Sequence, residues 1–98
     1  MTPFNERIKG EKVVLVDFSA EWCQPCQMMK PILHDLKNKM GDQADILKID
    51  IDKNPKTASQ FSIQSVPTLI IFKNGEIKWR QSGVVSASDL ENKLRNFI

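Results

Sequence analysis

The chain has 98 residues, of which 41% are hydrophobic and 27% are charged, and its formal net charge is +2. This length predicts one globular domain spanning residues 1–98, large enough for a hydrophobic core. Acidic and basic residues are interspersed and form no basic stripe, which argues against nucleic acid as a partner.

The first residues predict a short helix. Thr2 can cap it, Pro3 suits the first helical position, Phe4 and Ile8 lie one turn apart, and Gly10 would stop it. Charged residues interrupt every apolar stretch in this region that could serve as a signal sequence or a membrane span. We therefore expect a cytoplasmic protein with no membrane association.

The most informative stretch follows, between residues 13 and 40. Val13 to Val16 form an unbroken aliphatic run, which is typical of a strand covered on both faces. The next apolar residues recur at helical spacing and are Met29, Ile32, Leu33, Leu36 and Met40. Cys23 and Cys26 therefore lie where a buried strand passes into a helix.

This location favours redox chemistry. The first turn of a helix has unpaired backbone N–H groups and the positive end of the helix dipole, and both stabilise a thiolate at Cys23. Lowering a thiol pKa from about 8.5 to near 7 needs roughly 2 kcal/mol, which a partly buried helix terminus can supply. Cys26 follows one turn later, so the two sulfurs can form a disulfide and reopen it.

Two other uses of such a cysteine pair fit less well. A disulfide that encloses two residues removes little unfolded-chain entropy, so it would stabilise the fold poorly. A structural zinc site needs four Cys or His ligands, and the only further candidate is His34 on the same helix. We therefore expect no metal.

The remaining elements follow from local patterns. Residues 44–51 alternate apolar and polar side chains and predict a second strand parallel to the first. Asn54 and Pro55 begin a short helix, and a third strand runs from Thr68 to Phe72.

Asn74 and Gly75 predict a type I′ hairpin turn into a fourth strand, 76–81, with Ile77 and Trp79 on one face. A closing helix follows Ser86 and Ser88, and Ser88 and Glu91 have the spacing of a capping box.

Several motifs together resemble the thioredoxin family. They are VDF, AEWCxPC, a proline five residues after the second cysteine, KIDID, VPTLIIFKNG and a late glycine. The resemblance covers almost the whole chain. It implies an α/β, thioredoxin-like fold in which a central mixed four-stranded sheet is flanked by helices on both faces. Family members usually have a further strand before the first helix, so we expect this sheet to be one strand shorter.

The resemblance also implies roles for individual residues. Cys23 is expected to attack substrate disulfides and Cys26 to resolve the mixed disulfide, so that this redox-active pair replaces any cofactor. Asp17 is implied to accept the proton of Cys26, and Lys48 to tune that transfer. From the sequence alone, Asp17 could instead be a solvated carboxylate at the end of a strand, and Lys48 an exposed surface lysine.

The expected substrate surface surrounds Cys23. The segment Val66-Pro67-Thr68 matches the loop that carries a cis proline in the family, although sequence alone favours the trans isomer. Side chains implied to form an apolar rim are Trp22, Pro25, Val66, Gly83 and Val84. Ordinary core packing is the alternative reading of these residues.

Three positions depart from the family pattern. Gln24 replaces the glycine that usually follows the first cysteine. The dipeptide between the cysteines, here Gln24-Pro25, influences redox poise in this family. Ser19 stands where many members have tryptophan, and Ser65 where glycine is common. These replacements predict a more polar rim.

The resemblance implies a monomeric reductant of protein disulfides. Its partners would be disulfide-containing proteins and a flavin-dependent thioredoxin reductase that draws on NADPH and recharges it. Two alternatives remain open at this stage. The chain could be an extracytoplasmic disulfide oxidase or isomerase, or a thioredoxin-fold module that binds a partner protein and does not use its cysteines.

Overall fold

The structure is a computed structural model, and it describes residues 3–98. The predicted cap at Thr2 lies outside the described residues. The helices are α1 (Pro3–Ile8), α2 (Gln24–Met40), α3 (Pro55–Gln60) and α4 (Ala87–Arg95), and a 3₁₀ turn spans Gly41–Gln43. The strands are β1 (Val13–Ser19), β2 (Ala44–Asp50), β3 (Thr68–Lys73) and β4 (Glu76–Ser82).

The four strands form one mixed sheet in the order β2-β1-β3-β4. β1 pairs in parallel with β2 and antiparallel with β3, and β3 pairs antiparallel with β4. All seven residues of β1 are buried, as the aliphatic run predicted, because neighbouring strands and helices cover this strand on every side. The predicted mixed four-stranded sheet is confirmed.

Helices cover both faces of the sheet. On one face, α2 and α4 place Met29, Leu36 and Leu90 in a core with Leu15 and Ile71. On the other face, Phe4 and Ile8 of α1 pack with Phe18 and Phe72, and Phe61, which follows α3, completes an aromatic cluster. The helix α2 packs on the face of the sheet that carries Leu15 and Ile71 and follows β1 in the chain, so its N-terminus lies at the C-terminal end of β1.

The hairpin between β3 and β4 has the predicted turn. Asn74 and Gly75 have positive φ values of 56° and 78°, as a type I′ turn requires. A register shift then places Ile77 opposite Phe72 and Trp79 opposite Ile71. Phe72 belongs to the core on one face of the sheet, and Ile71 belongs to the core on the other face. The prediction that Ile77 and Trp79 share a face is therefore wrong, because a bulge between them reverses the alternation of side chains.

Helix boundaries agree with the sequence signals except at α4. Pro55 occupies the first turn of α3, and α2 runs without interruption through Pro31. The N-cap of α4 is Ser86, whose side-chain oxygen accepts a hydrogen bond from the Asp89 backbone N–H at 3.1 Å. The alternative cap at Ser88 is wrong, because that residue lies inside the helix.

Candidate active site

The two cysteines occupy the junction between β1 and α2. Cys23 is the N-cap of α2, with extended backbone angles, and Cys26 lies in the first turn of the helix. The two residues form a disulfide with a Cα–Cα distance of 5.2 Å. The backbone N–H of Cys26 donates to Sγ of Cys23 at 3.1 Å. The sulfur of Cys23 therefore takes the position of a capping side-chain oxygen and meets the positive end of the helix dipole.

Burial distinguishes the two sulfurs only weakly in this disulfide form. Cys23 is 4% exposed and Cys26 is 1% exposed, and the two form a buried cluster with Ala20, against which Ile51 and Val66 pack. The attacking role implied for Cys23 requires an accessible sulfur, and in this disulfide form Cys23 is almost as buried as Cys26. Their helix positions differ more clearly, because Cys23 precedes the first turn and receives a backbone N–H, whereas Cys26 lies within that turn.

Asp17 is fully buried in β1, so the alternative of a solvated carboxylate is wrong. Its side chain has no accessible surface, and neither carboxylate oxygen has a hydrogen-bond partner among the described residues. Burial raises the pKa of Asp17 from 3.8 to about 6, and the charge of Lys48 partly opposes this rise. An unpaired carboxyl group in a protein interior is costly, and such groups cluster at functional sites.

Lys48 lies beside Asp17 in the sheet. The two residues are direct neighbours in the parallel register of β1 and β2. Lys48 is itself exposed, so its ammonium group can stay hydrated while its charge acts on the buried carboxyl group. The structure therefore agrees with both descriptions of this residue, as a surface lysine and as a neighbour that affects the pKa of Asp17.

Val66 lies against the disulfide, and its neighbour Pro67 is joined to the segment that carries Gly83. The Val66–Pro67 peptide bond is cis, and the carbonyl oxygen of Val66 lies 3.6 Å from Sγ of Cys23. Pro67 accepts a hydrogen bond from the backbone N–H of Gly83 at 2.8 Å, which joins the loop before β3 to the end of β4. Val84 follows Gly83 and is 40% exposed. The implied cis proline is confirmed.

Trp22 and the residues between the cysteines lie at the surface. Trp22 is 69% exposed, so ordinary core packing does not explain it. Its indole Nε1 donates to Oδ2 of Asp52 at 2.8 Å, which fixes the ring beside the start of α2. Gln24 and Pro25 form the exposed beginning of that helix. These three side chains are free to contact a macromolecule at Cys23.

Sequence reasoning missed two parts of this site. Asp52 has no local signal as the partner of Trp22, because the two residues lie thirty positions apart. The hydroxyl of Thr68 donates to the Ser65 carbonyl oxygen at 2.7 Å and contacts the Ser82 hydroxyl at 3.1 Å. Hydroxyl residues at the start of β3 and the end of β4 were the only available hint of this cluster.

The redox group of the site is the disulfide itself. Within residues 3–98, no cluster of three or more His, Cys, Asp or Glu side chains could hold a metal ion. None of the helices in that part of the chain has the length and apolar character needed to cross a membrane. Chemically, the arrangement can exchange a dithiol for a disulfide at a helix N-terminus.

Comparisons with known proteins agree with this geometry. The thioredoxin family model matches residues 1–96. A thioredoxin-like protein of Synechocystis is 47% identical over 96 residues, which cover 97% of this chain and 91% of the relative. A thioredoxin of Alicyclobacillus acidocaldarius is 42% identical over 95 residues, which cover 97% and 90%.

Solved structures give the same result. A mutant thioredoxin from Halobacterium salinarum superposes with a TM-score of 0.89 at 33% identity, over 99% of this chain and 84% of that one. A thioredoxin from Malassezia sympodialis superposes with a TM-score of 0.86 at 32% identity, over 96% and 82%. The chain therefore belongs to the thioredoxin family and is a protein-disulfide oxidoreductase.

Proposed function

We propose that this protein reduces disulfides in other proteins, working as a monomer with one domain over residues 1–98. The Cys23 thiolate attacks one sulfur of the substrate disulfide, and the other substrate sulfur leaves as a thiolate. The Cys26 thiolate then attacks Sγ of Cys23 and releases the second substrate sulfur. Two electrons have passed to the substrate, and the protein is left with the Cys23–Cys26 disulfide.

The observation that carries this proposal is the position of Cys23 as the N-cap of α2. Its sulfur accepts the Cys26 backbone N–H at 3.1 Å, and α2 is a helix of 17 residues. A hydrogen bond to the charged form and the helix dipole both favour the thiolate over the thiol. The thiolate is the attacking species in exchange, so this position supports Cys23 as the nucleophile.

Asp17 is proposed to accept the proton of Cys26 when that sulfur attacks. Support comes from its raised pKa of about 6, which lies close enough to neutral pH for it to gain and lose a proton during turnover. Lys48 would tune this transfer, because its charge lowers the pKa of Asp17. Gln24 and Pro25 are proposed to tune the redox poise, since they separate the two sulfurs.

Substrate binding is proposed to use Trp22, Val66, Pro67, Gly83 and Val84. The Val66 carbonyl oxygen lies 3.6 Å from the attacking sulfur, so the backbone there can pair with an extended substrate segment. Trp22 and Val84 are 69% and 40% exposed and offer apolar contact area beside that segment. These contacts would select for accessible disulfides in flexible polypeptide.

The oxidised protein must be recharged before it acts again. We propose a flavin-dependent thioredoxin reductase that passes electrons from NADPH to the Cys23–Cys26 disulfide. This electron transport suits the cytoplasm, where thiols are kept reduced and a dithiol reductant is useful. The family to which the chain belongs supports this assignment.

Trapping the mixed disulfide tests the roles of the two cysteines. Cys26→Ser removes the resolving thiol, so a disulfide-containing peptide should remain covalently linked to Cys23 and be visible by mass spectrometry. Cys23→Ser, with Cys26 intact, is the matched control and should trap little peptide. Equal trapping by both variants would contradict the assigned roles.

The reduction potential tests the direction of electron flow. Equilibration with a glutathione buffer should give a potential nearer to about −270 mV than to about −120 mV, the values of a reductant and an oxidant built on a similar pair. A strongly oxidising value would support a disulfide oxidase or isomerase instead. Full biological activity of the protein with both cysteines changed to serine would support a binding module.

A further inference from the structure

The two edges of the sheet differ in their readiness to accept another strand. β4 has a register shift against β3, and its exposed side chains include Lys78 and Arg80. Both features discourage edge pairing. β2 carries one exposed cation, Lys48, but it pairs with β1 in unbroken register over 44–50, and no strand among residues 3–98 pairs with its outer side. The outer edge of β2 therefore offers a straight row of backbone N–H and C=O groups.

Apolar side chains of β2 remain partly exposed on both faces of the sheet. Ile46 packs against the core under α2, whereas Leu47 and Ile49 pack against the core under α1. None of the three side chains is fully covered. A strand added at this edge would therefore bury apolar surface on both faces in addition to forming backbone hydrogen bonds.

A shallow cavity lies beside β2 on each face. The first, of about 230 Å³, lies between α2 and β2 and has Leu33 and Ile46 in its lining. The second, of about 240 Å³, lies between α1 and β2 and has an apolar lining of Pro3, Phe4, Leu47 and Ile49. Arg7, which pairs with Asp45, and Lys48 also line it. Successive side chains of an extended segment point to opposite faces, so one such segment could fill both cavities in alternation. A small molecule could occupy only one of them.

Three lysines rim the first cavity. Lys30, Lys37 and Lys48 line it together with His34, and no acidic residue does. Lys30 and Lys37 form no ion pair with any of residues 3–98. A glutamate side chain suits this cavity, because its methylene groups can cover the apolar floor while its carboxylate reaches the lysines. A second copy of this chain would instead bring the same cations face to face.

We propose that the outer edge of β2 is a docking site for an extended segment of another protein in which acidic side chains alternate with apolar ones. The segment adds a strand to β2. Its acidic side chains point to the cavity beside α2, and its apolar side chains point to the cavity beside Phe4 and Ile49. The site is separate from the disulfide and does not depend on the redox state of the cysteines.

A peptide titration tests this proposal on the oxidised protein. The probe is an eight-residue peptide of alternating Glu and Val with blocked ends, and the control replaces each Glu by Lys. Amide chemical shifts measured by NMR should change over residues 44–50 when the Glu-Val peptide is added. The Lys-Val peptide should bind at least tenfold more weakly, because it brings positive charge to Lys30 and Lys37.

Charge reversal on the protein gives the matching result. Lys30→Glu with Lys37→Glu should weaken binding of the Glu-Val peptide about tenfold. Lys93→Glu changes an exposed lysine on α4 and should leave binding unchanged. Since all three side chains are exposed, folding should be unaffected, and circular dichroism checks this.

Three results would overturn the proposal. The first is equal affinity for the Glu-Val and Lys-Val peptides, and the second is shift changes confined to β4 or to the surroundings of Cys23. The third is self-association of the unliganded protein, measured by sedimentation equilibrium, if the double variant Lys30→Glu with Lys37→Glu alters it. That result would assign the edge to a second copy of the chain.

Discussion

Two regions of the sheet differ in whether their buried polar groups are hydrogen-bonded. At the end of β1, Asp17 is buried with neither oxygen hydrogen-bonded. Across from it, at the start of β3, the buried Thr68 hydroxyl is bonded to the Ser65 carbonyl oxygen and contacts the Ser82 hydroxyl. The first region holds a titratable group at a cost in stability, whereas the second is a satisfied and therefore rigid platform.

This contrast separates a buried group that has no hydrogen-bond partner from a buried group that hydrogen bonds hold in place. A buried group without partners can change its protonation state without breaking a hydrogen bond. A satisfied group resists change, and the hydrogen bond from Thr68 to Ser65 spans the loop that contains Val66, whose carbonyl oxygen lies 3.6 Å from Sγ of Cys23. Substitutions in the first region should therefore alter pH dependence, and substitutions in the second should alter stability equally at all pH values.

The largest effect is expected for Asp17→Asn. Because the folded-state pKa lies above the ordinary value, folding favours the protonated carboxyl group, and wild-type stability falls as the pH rises from 3.8 through about 6. The difference between these two pKa values corresponds to about 3 kcal/mol of unfolding free energy at pH 8. Asp17→Asn should therefore be more stable than the wild type at pH 8 by up to about 3 kcal/mol in urea denaturation.

The same variant carries its own control. At pH 3 to 4 the wild-type carboxyl group is already protonated, so the stability difference between the two proteins should nearly vanish. Turnover of Asp17→Asn at neutral pH should fall, because the proposed proton acceptor of Cys26 is gone. An equal stability difference at both pH values would show that packing, and not ionisation, sets it.

Gly83→Ala should give the next largest effect and tests the platform. Gly83 has a φ of +96°, which side-chain-bearing residues rarely adopt, although no atom lies within 4 Å of an added Cβ. The cost is therefore conformational and not steric, and we expect a loss of about 1 to 2 kcal/mol. Denaturation at pH 4 and pH 8 should show the same loss at both, unlike Asp17→Asn.

Thr68→Val should cost about 1 kcal/mol, again without pH dependence. The substitution keeps the shape of the side chain but removes the hydroxyl, so the Ser65 carbonyl oxygen loses its donor. Urea denaturation measures the loss. Thr57→Val in α3 is the control and should have a smaller effect. The Thr57 side chain forms none of the hydrogen bonds described for residues 3–98. A stabilised Thr68→Val protein would refute the description of this region as satisfied.

Local patterns were enough to predict most of the fold. The aliphatic run of β1, the helical spacing in α2 and the Asn74-Gly75 turn each appear in short windows of sequence, where neighbouring residues set the backbone geometry. They also placed Cys23 at the start of a helix. Features that depend on contacts between distant segments were missed, such as the bulge between Ile77 and Trp79.

The site was predictable to a similar depth. Spacing identified the cysteine pair, but the cis Val66–Pro67 bond followed only from the family resemblance, because sequence alone favours trans. The complete burial of Asp17 depends on how α2 and the neighbouring strands close over β1, which no local pattern records. The Trp22–Asp52 hydrogen bond joins two segments that are distant in sequence, and it had no signal.

The smallest effect is expected for Lys48→Met, and it acts on the Asp17 side of the comparison. The charge of Lys48 lowers the pKa of Asp17, so its removal should raise that pKa further. Methionine keeps the apolar stem of the side chain, and Lys48 is exposed, so little stability should be lost at pH 4, where Asp17 is protonated. NMR titration of the Asp17 carboxyl carbon, compared between the two proteins, measures the shift.

Lys56→Met, at an exposed position in α3, is the matched control and should leave the titration of Asp17 unchanged. An unchanged or lowered pKa of Asp17 in Lys48→Met would show that the lysine charge does not lower that pKa in the wild type, and the proposed tuning role of Lys48 would then be wrong.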